Sequence, residues 1–117
     1  MNFQNDAPII QKVYDFYKLS YETIRLFPRE EKFALGQQIK SIILQILELL
    51  IEAGYLPKSE KIKSLEQASI KLDLLKILIR LSHDTKLINQ KKYIHQEEQL
   101  QEIGRMLGGW IRSCKNI

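Results

Sequence analysis

The sequence predicts an all-α fold, an antiparallel up-down-up-down four-helix bundle forming a single domain over residues 1–117. Three observations predict it. Apolar residues recur at intervals of three and four along nearly the whole chain, the period of a helix with one buried face. Only three places interrupt that pattern, at Phe27-Pro28, at Gly54 to Pro57 and at Ile88-Asn89-Gln90. The interruptions are short, so consecutive helices must lie side by side and run in opposite directions. A chain of 117 residues is one domain's worth and long enough to bury well over half of its unfolded surface.

The first helix is expected over residues 8–26. Asp6-Ala7-Pro8 opens it, because proline tolerates the first turn and an acid favours the positive end of the dipole. Ile10, Tyr14, Tyr17, Tyr21 and Ile24 then mark one face, widened by Ile9, Val13 and Phe16. Phe27-Pro28 ends it, since the residue before proline is pushed out of the α region. The second helix is expected over 29–53, with Leu35, Ile39, Ile42, Ile43, Ile46, Leu47, Leu50 and Ala53 inward and Gly54 as a left-handed cap.

The third helix is expected over 59–87 and has two apolar rows. Leu65, Ala68, Leu72, Leu75 and Ile79 form one; Ile70, Leu74, Ile77, Leu78 and Leu81 form the other. A helix apolar on most sides is buried on most sides. One small bundle cannot cover both rows, so a subunit interface is expected. The fourth helix is expected over 90–113, capped by Asn89 and carrying Tyr93, Leu100, Ile103, Leu107 and Trp110 inward.

Composition is that of an ordinary soluble protein, 44% hydrophobic and 27% charged. Net charge is +4 and suggests an acidic partner. Residues 58–117 carry twelve basic and seven acidic side chains while residues 1–57 carry six and seven, so the C-terminal half owns the basic character. The single cysteine, Cys114, allows no intrachain disulfide and fits a reducing compartment. No secretory signal is visible, and Gln45, Glu48 and Glu52 break the longest apolar region. A soluble, cytoplasmic protein without a membrane segment is expected.

Catalytic and metal constellations are not evident. A di-iron bundle needs Glu-x-x-His pairs, but Arg80 precedes His83 and Lys92 precedes His95 at that spacing. His95 with Glu98, and Glu48 with Glu52, share helical faces and read as solvated surface. Cys114 has no histidine at a predictable distance. No catalytic residue, cofactor or metal is therefore assigned, and no enzyme activity is expected.

Basic residues are the better lead. Lys76 and Arg80 lie one turn apart in the most apolar part of the third helix, with His83 next along the row. They either line an exposed groove or form a ladder with Asp73 and Asp84. Lys58, Lys61 and Lys63 cluster at the start of the third helix, Lys91 and Lys92 at the start of the fourth. Cations at helix N-termini oppose the dipole, so helix stability does not explain them. A phosphate backbone would reward them through counterion release; solvated surface lysines are the plainer reading.

The run Glu102 to Ser113 holds Gly104, Gly108, Gly109 and the only tryptophan, Trp110. Each glycine costs a helix about 1 kcal/mol relative to alanine. The expected reason is packing, with the glycines permitting close helix approach and Trp110 filling core. Gly104, Gly108 and Arg112 share one stripe.

Several segments taken together carry a resemblance: Pro8-Ile9-Ile10-Gln11-Lys12-Val13-Tyr14-Asp15, Phe27-Pro28-Arg29 leading to Leu35-Gly36-Gln37-Gln38-Ile39, Leu49-Leu50-Ile51-Glu52-Ala53, and Glu102 to Ser113. In order and spacing they resemble the accessory variability determinant (Avd) proteins of diversity-generating retroelements. That family belongs to a wider four-helix-bundle group that includes the 23S rRNA intervening-sequence proteins. The resemblance implies a homopentameric barrel that binds the retroelement's reverse transcriptase and its template RNA during mutagenic cDNA synthesis, without being the polymerase. It further implies that Lys76 and Arg80, within Leu75-Lys76-Ile77-Leu78-Ile79-Arg80, contribute to reverse-transcriptase binding. The alternative is an intervening-sequence-type bundle with a partner outside retroelements.

Overall fold

A computed structural model describes residues 8–115, which form four long helices with no strand among them. Asp6, expected to favour the start of the first helix, lies outside the described residues. Helix α1 spans Pro8–Ile24. It ends two residues before the expected Leu26 because the chain tightens into three-residue bonds, Leu26 N–H to Thr23 O at 3.1 Å and Phe27 N–H to Ile24 O at 2.9 Å.

Helix α2 spans Arg29–Tyr55. It is not regular: Arg29–Glu31 is an α turn, Lys32–Gly36 a π turn, and Gln37–Tyr55 a regular α run. Gly36, which closes the π turn, is buried. A Cβ built there would stand 2.6 Å from Ile24 Cγ2 and 3.2 Å from the Glu31 carbonyl oxygen. The missing side chain lets the end of α1 close onto α2.

Gly54 is not the left-handed cap expected of it. The helix runs through it to Tyr55, and no described glycine has positive φ. What stops α2 is Pro57, which holds Leu56 extended at φ −88 and ψ 153. By length and composition α2 is apolar enough to cross a membrane. Its buried residues Ile39, Ile42, Ile43, Ile46, Leu50 and Ala53 belong to the core of the bundle.

Helix α3 spans Lys58–Asp84 and ends three residues before the expected Leu87. Its end is a complete Schellman turn: Leu87 N–H reaches back to Ser82 O at 2.8 Å and Lys86 N–H to His83 O at 3.0 Å. Lys86 takes the left-handed position with φ 67, which glycine usually fills. Helix α4 spans Gln90–Lys115. Asn89 caps it as expected, its Oδ1 accepting from Lys92 N–H at 2.8 Å.

Helix α1 packs on α2 and α4, and α3 packs on α2 and α4, closing a four-membered ring 47 Å long and 23 × 22 Å across. Cross-helix pairs fix the directions. Lys61 meets Ala53 and Lys71 meets Gln45, so α2 and α3 are antiparallel. Lys115 meets Glu66 and His83 meets Tyr93, so α3 and α4 are antiparallel. Ile10, Ile43, Ile46, Leu50, Leu65, Leu75, Leu100 and Leu107 are almost wholly buried at the centre.

The two apolar rows of α3 separate. Leu65, Ala68, Leu72, Leu75 and Ile79 are buried, whereas Ile70, Leu74, Ile77 and Leu81 are 70%, 42%, 63% and 45% exposed. Leu78 lies between, half-buried against the core.

Candidate interaction surface

The seam between α3 and α4 holds the basic residues of interest. Lys76 comes from the side of α3 next to α4, and its ammonium sits against the α4 backbone. A Cβ at Gly104 would meet Lys76 Nζ and Leu72 Cδ2, each at 3.6 Å. Lys76 is half-buried and has no hydrogen bond or ion pair among the described residues.

Arg80, one turn on, is largely solvated. Its Nε lies 3.8 Å from Asp84 Oδ2, a long exposed pair that contributes little. Asp73 is within ion-pair reach of neither cation, so the expected ladder shrinks to one loose rung. His83 leaves the row to stack on Tyr93, centroids 4.4 Å apart.

Arg112 is the residue that sequence reasoning placed on the glycine stripe without giving it a role. Its guanidinium folds back over its own helix: a Cβ at Gly108 would stand 3.3 Å from Nη1, and one at Gly109 3.8 Å from Nη2. Position was the available signal, one turn past Gly108 on the same face. Arg112 also has no ion pair among the described residues. Arg105 and Lys115 differ, bonded to Glu102 and Glu66 respectively. Gly104 and Gly108 are one helical turn apart, about 6 Å along the axis. Two unneutralised cations, Lys76 and Arg112, are thus seated one turn apart along α4.

The glycines therefore do not serve close helix approach within the chain. No neighbouring backbone comes within 4 Å of a Cβ at Gly104, Gly108 or Gly109. What occupies the space at those three positions is a lysine tip, an arginine head and one leucine methyl. Trp110 is half-buried at the edge of the core.

The remaining lysines divide. Lys61 does serve helix stability, contrary to expectation: its Nζ donates to the Ala53 carbonyl at 2.6 Å. The start of α3 abuts the end of α2, so this cation meets the negative pole of the preceding helix. Lys58, Lys63 and Lys91 are exposed. Lys63 lines an open groove with Glu52 and Glu60. Lys92, at the start of α4, lines a pocket of about 250 Å³ between α1 and α4 with Arg25, His95, Leu19 and Leu26. The structure does not bring these lysines to the Lys76–Arg112 seam.

The tyrosines of α1 are partly exposed and met by lysines, Lys18 Nζ at 5.5 Å from the Tyr14 ring and Lys40 Nζ at 5.9 Å from that of Tyr21. Glu48, Glu52, His95 and Glu98 are exposed. Cys114 is buried. Among the described residues no group of three or more His, Cys, Asp or Glu side chains is placed to hold a metal ion.

Fold and surface together define a helical-bundle protein whose third helix presents two distinct faces, one basic and one apolar. The family model described as bAvd-like matches residues 8–114, and the chain belongs to that family. The membership agrees with the Avd proteins of diversity-generating retroelements and supports an Avd-type accessory role. No curated protein sequence matches the chain.

Proposed function

We propose that this chain is a non-enzymatic accessory protein of a diversity-generating retroelement. It binds the element's reverse transcriptase and its template RNA or cDNA, and so supports mutagenic retrohoming. It acts in the cytoplasm as a homopentameric barrel of helical bundles. The observation that carries this reading is the family match over residues 8–114.

Two surface features support it. The exposed row Ile70, Leu74, Ile77 and Leu81 recurs at four, three and four residues, the spacing of a seam that packs on another helix. Lys76, Arg80 and Arg112 offer cations free of short ion pairs, which an acidic protein face or a phosphate chain would neutralise. Arg112 joins Lys76 and Arg80 in the proposed contact surface. The exposed lysines Lys58, Lys63, Lys91 and Lys92 add longer-range attraction.

Copurification tests it. Replacing Lys76 and Arg80 together by alanine is expected to leave the helical circular dichroism unchanged and to abolish recovery of the reverse transcriptase. Full recovery with the double variant overturns the site assignment. Recovery of a different protein by the unaltered chain, with no reverse transcriptase, favours the intervening-sequence type of role.

A further inference from the structure

Four buried polar side chains meet at one point in the core: Ser20 and Thr23 from α1, Ser82 from α3 and Gln96 from α4, none more than 8% exposed. They surround a cavity of about 10 Å³, completed by Ile24, Phe27, Ile39, Ile79 and Ile88. The volume is close to the smallest that admits one water molecule, and nothing larger fits.

Counting donors and acceptors shows what the cavity wants. Thr23 Oγ1 donates its proton to Leu19 O at 3.0 Å and accepts from Gln96 Nε2 at 3.1 Å. Ser82 Oγ donates to Leu78 O at 3.0 Å and keeps its lone pairs free. Gln96 lines the same cavity and carries an amide oxygen able to accept. Ser20 Oγ is buried with no partner, so its proton is unspent. The contrast with its neighbours is informative. Thr23, Ser82 and Thr85 all turn their hydroxyls back to the carbonyl four residues earlier, whereas Ser20 does not turn to that of Phe16.

We propose that the cavity walled by Ser20, Thr23, Ser82 and Gln96 binds one internal water molecule that joins α1, α3 and α4. The water accepts the Ser20 proton and donates to Ser82 Oγ and Gln96 Oε1. It thereby satisfies a hydroxyl that is otherwise buried without a partner, which is costly in a medium of low polarity. The α1–α4 pocket opens outward and is divided from the cavity by the hydrogen-bonded Thr23 and Gln96, which line both. Helices α1 and α4 are far apart in sequence, and this node is where a polar link between them is built.

Water magnetic relaxation dispersion on the full chain tests the site, comparing the unaltered protein with Ser20→Val. The valine methyls fill the space and remove the donor. The expected result is a long-lived water component in the unaltered protein that falls by about one molecule in the variant. Equal components in the two proteins overturn the proposal. Should Ser20→Val fail to fold, a high-resolution crystal structure of the unaltered chain decides. Ordered density bonded to Ser20 Oγ, Ser82 Oγ and Gln96 sustains the site. A Ser20 hydroxyl turned to the Phe16 carbonyl, beside a cavity without density, overturns it.

Discussion

Lys86 holds the corner between α3 and α4 in a backbone region that costs an ordinary L-residue about 1–2 kcal/mol. Glycine avoids that cost but loses more freedom on folding. Lys86→Gly is therefore expected to stabilise the chain by roughly 0.5–1 kcal/mol, read as a higher midpoint in urea with an unchanged slope. Lys61 makes the complementary point about charge. The same cation that opposes the dipole of its own helix is a second donor to the Ala53 carbonyl near the end of the helix before it, which also accepts from Leu56 N–H at 3.3 Å. Sequence shows which pole a lysine belongs to by number; only the corner shows which pole it touches.

Helix α3 is the element on which the molecule turns. Its inner row fills the bundle, its side toward α4 carries Lys76 with the solvated Arg80 one turn on, and its outer row is left apolar. On the proposed barrel, Ile77→Lys is expected to leave the helical circular dichroism intact and to give monomers by light scattering. A parent chain already monomeric at working concentration removes the basis for the barrel. The existence of all four helices was legible, because period and proline placement are local signals carried by residues such as Pro28, Pro57 and Asn89. Their irregularities were not. The π turn at Lys32–Gly36 ends at a close contact across two helices, Ile24 against Gly36, which no local pattern announces. The end of α3 depends on a lysine standing where the pattern rule looks for glycine. Lys76 and Arg80 were legible as a basic pair one turn apart. The seating of Arg112 over Gly108 and Gly109 was not, because it depends on a rotamer.

At the scale of the whole molecule, charge and shape act together. If Lys76, Arg80 and Arg112 meet phosphates, affinity for the template RNA falls as salt rises, and Arg112→Ala lowers the logarithmic salt slope by about 0.7 for a single-stranded contact. An unchanged slope, measured by titration at several salt concentrations, removes Arg112 from the interface. The lone cysteine adds a different resource. Cys114 is buried in the last turns of α4, where, among the described residues, the Lys115–Glu66 pair is the one ion pair that links the tip to α3. A thiol reagent reaches it only when that tip lifts away, so the labelling rate is a built-in clock for fraying of the C-terminal turns. Labelling is expected to run faster than global unfolding permits.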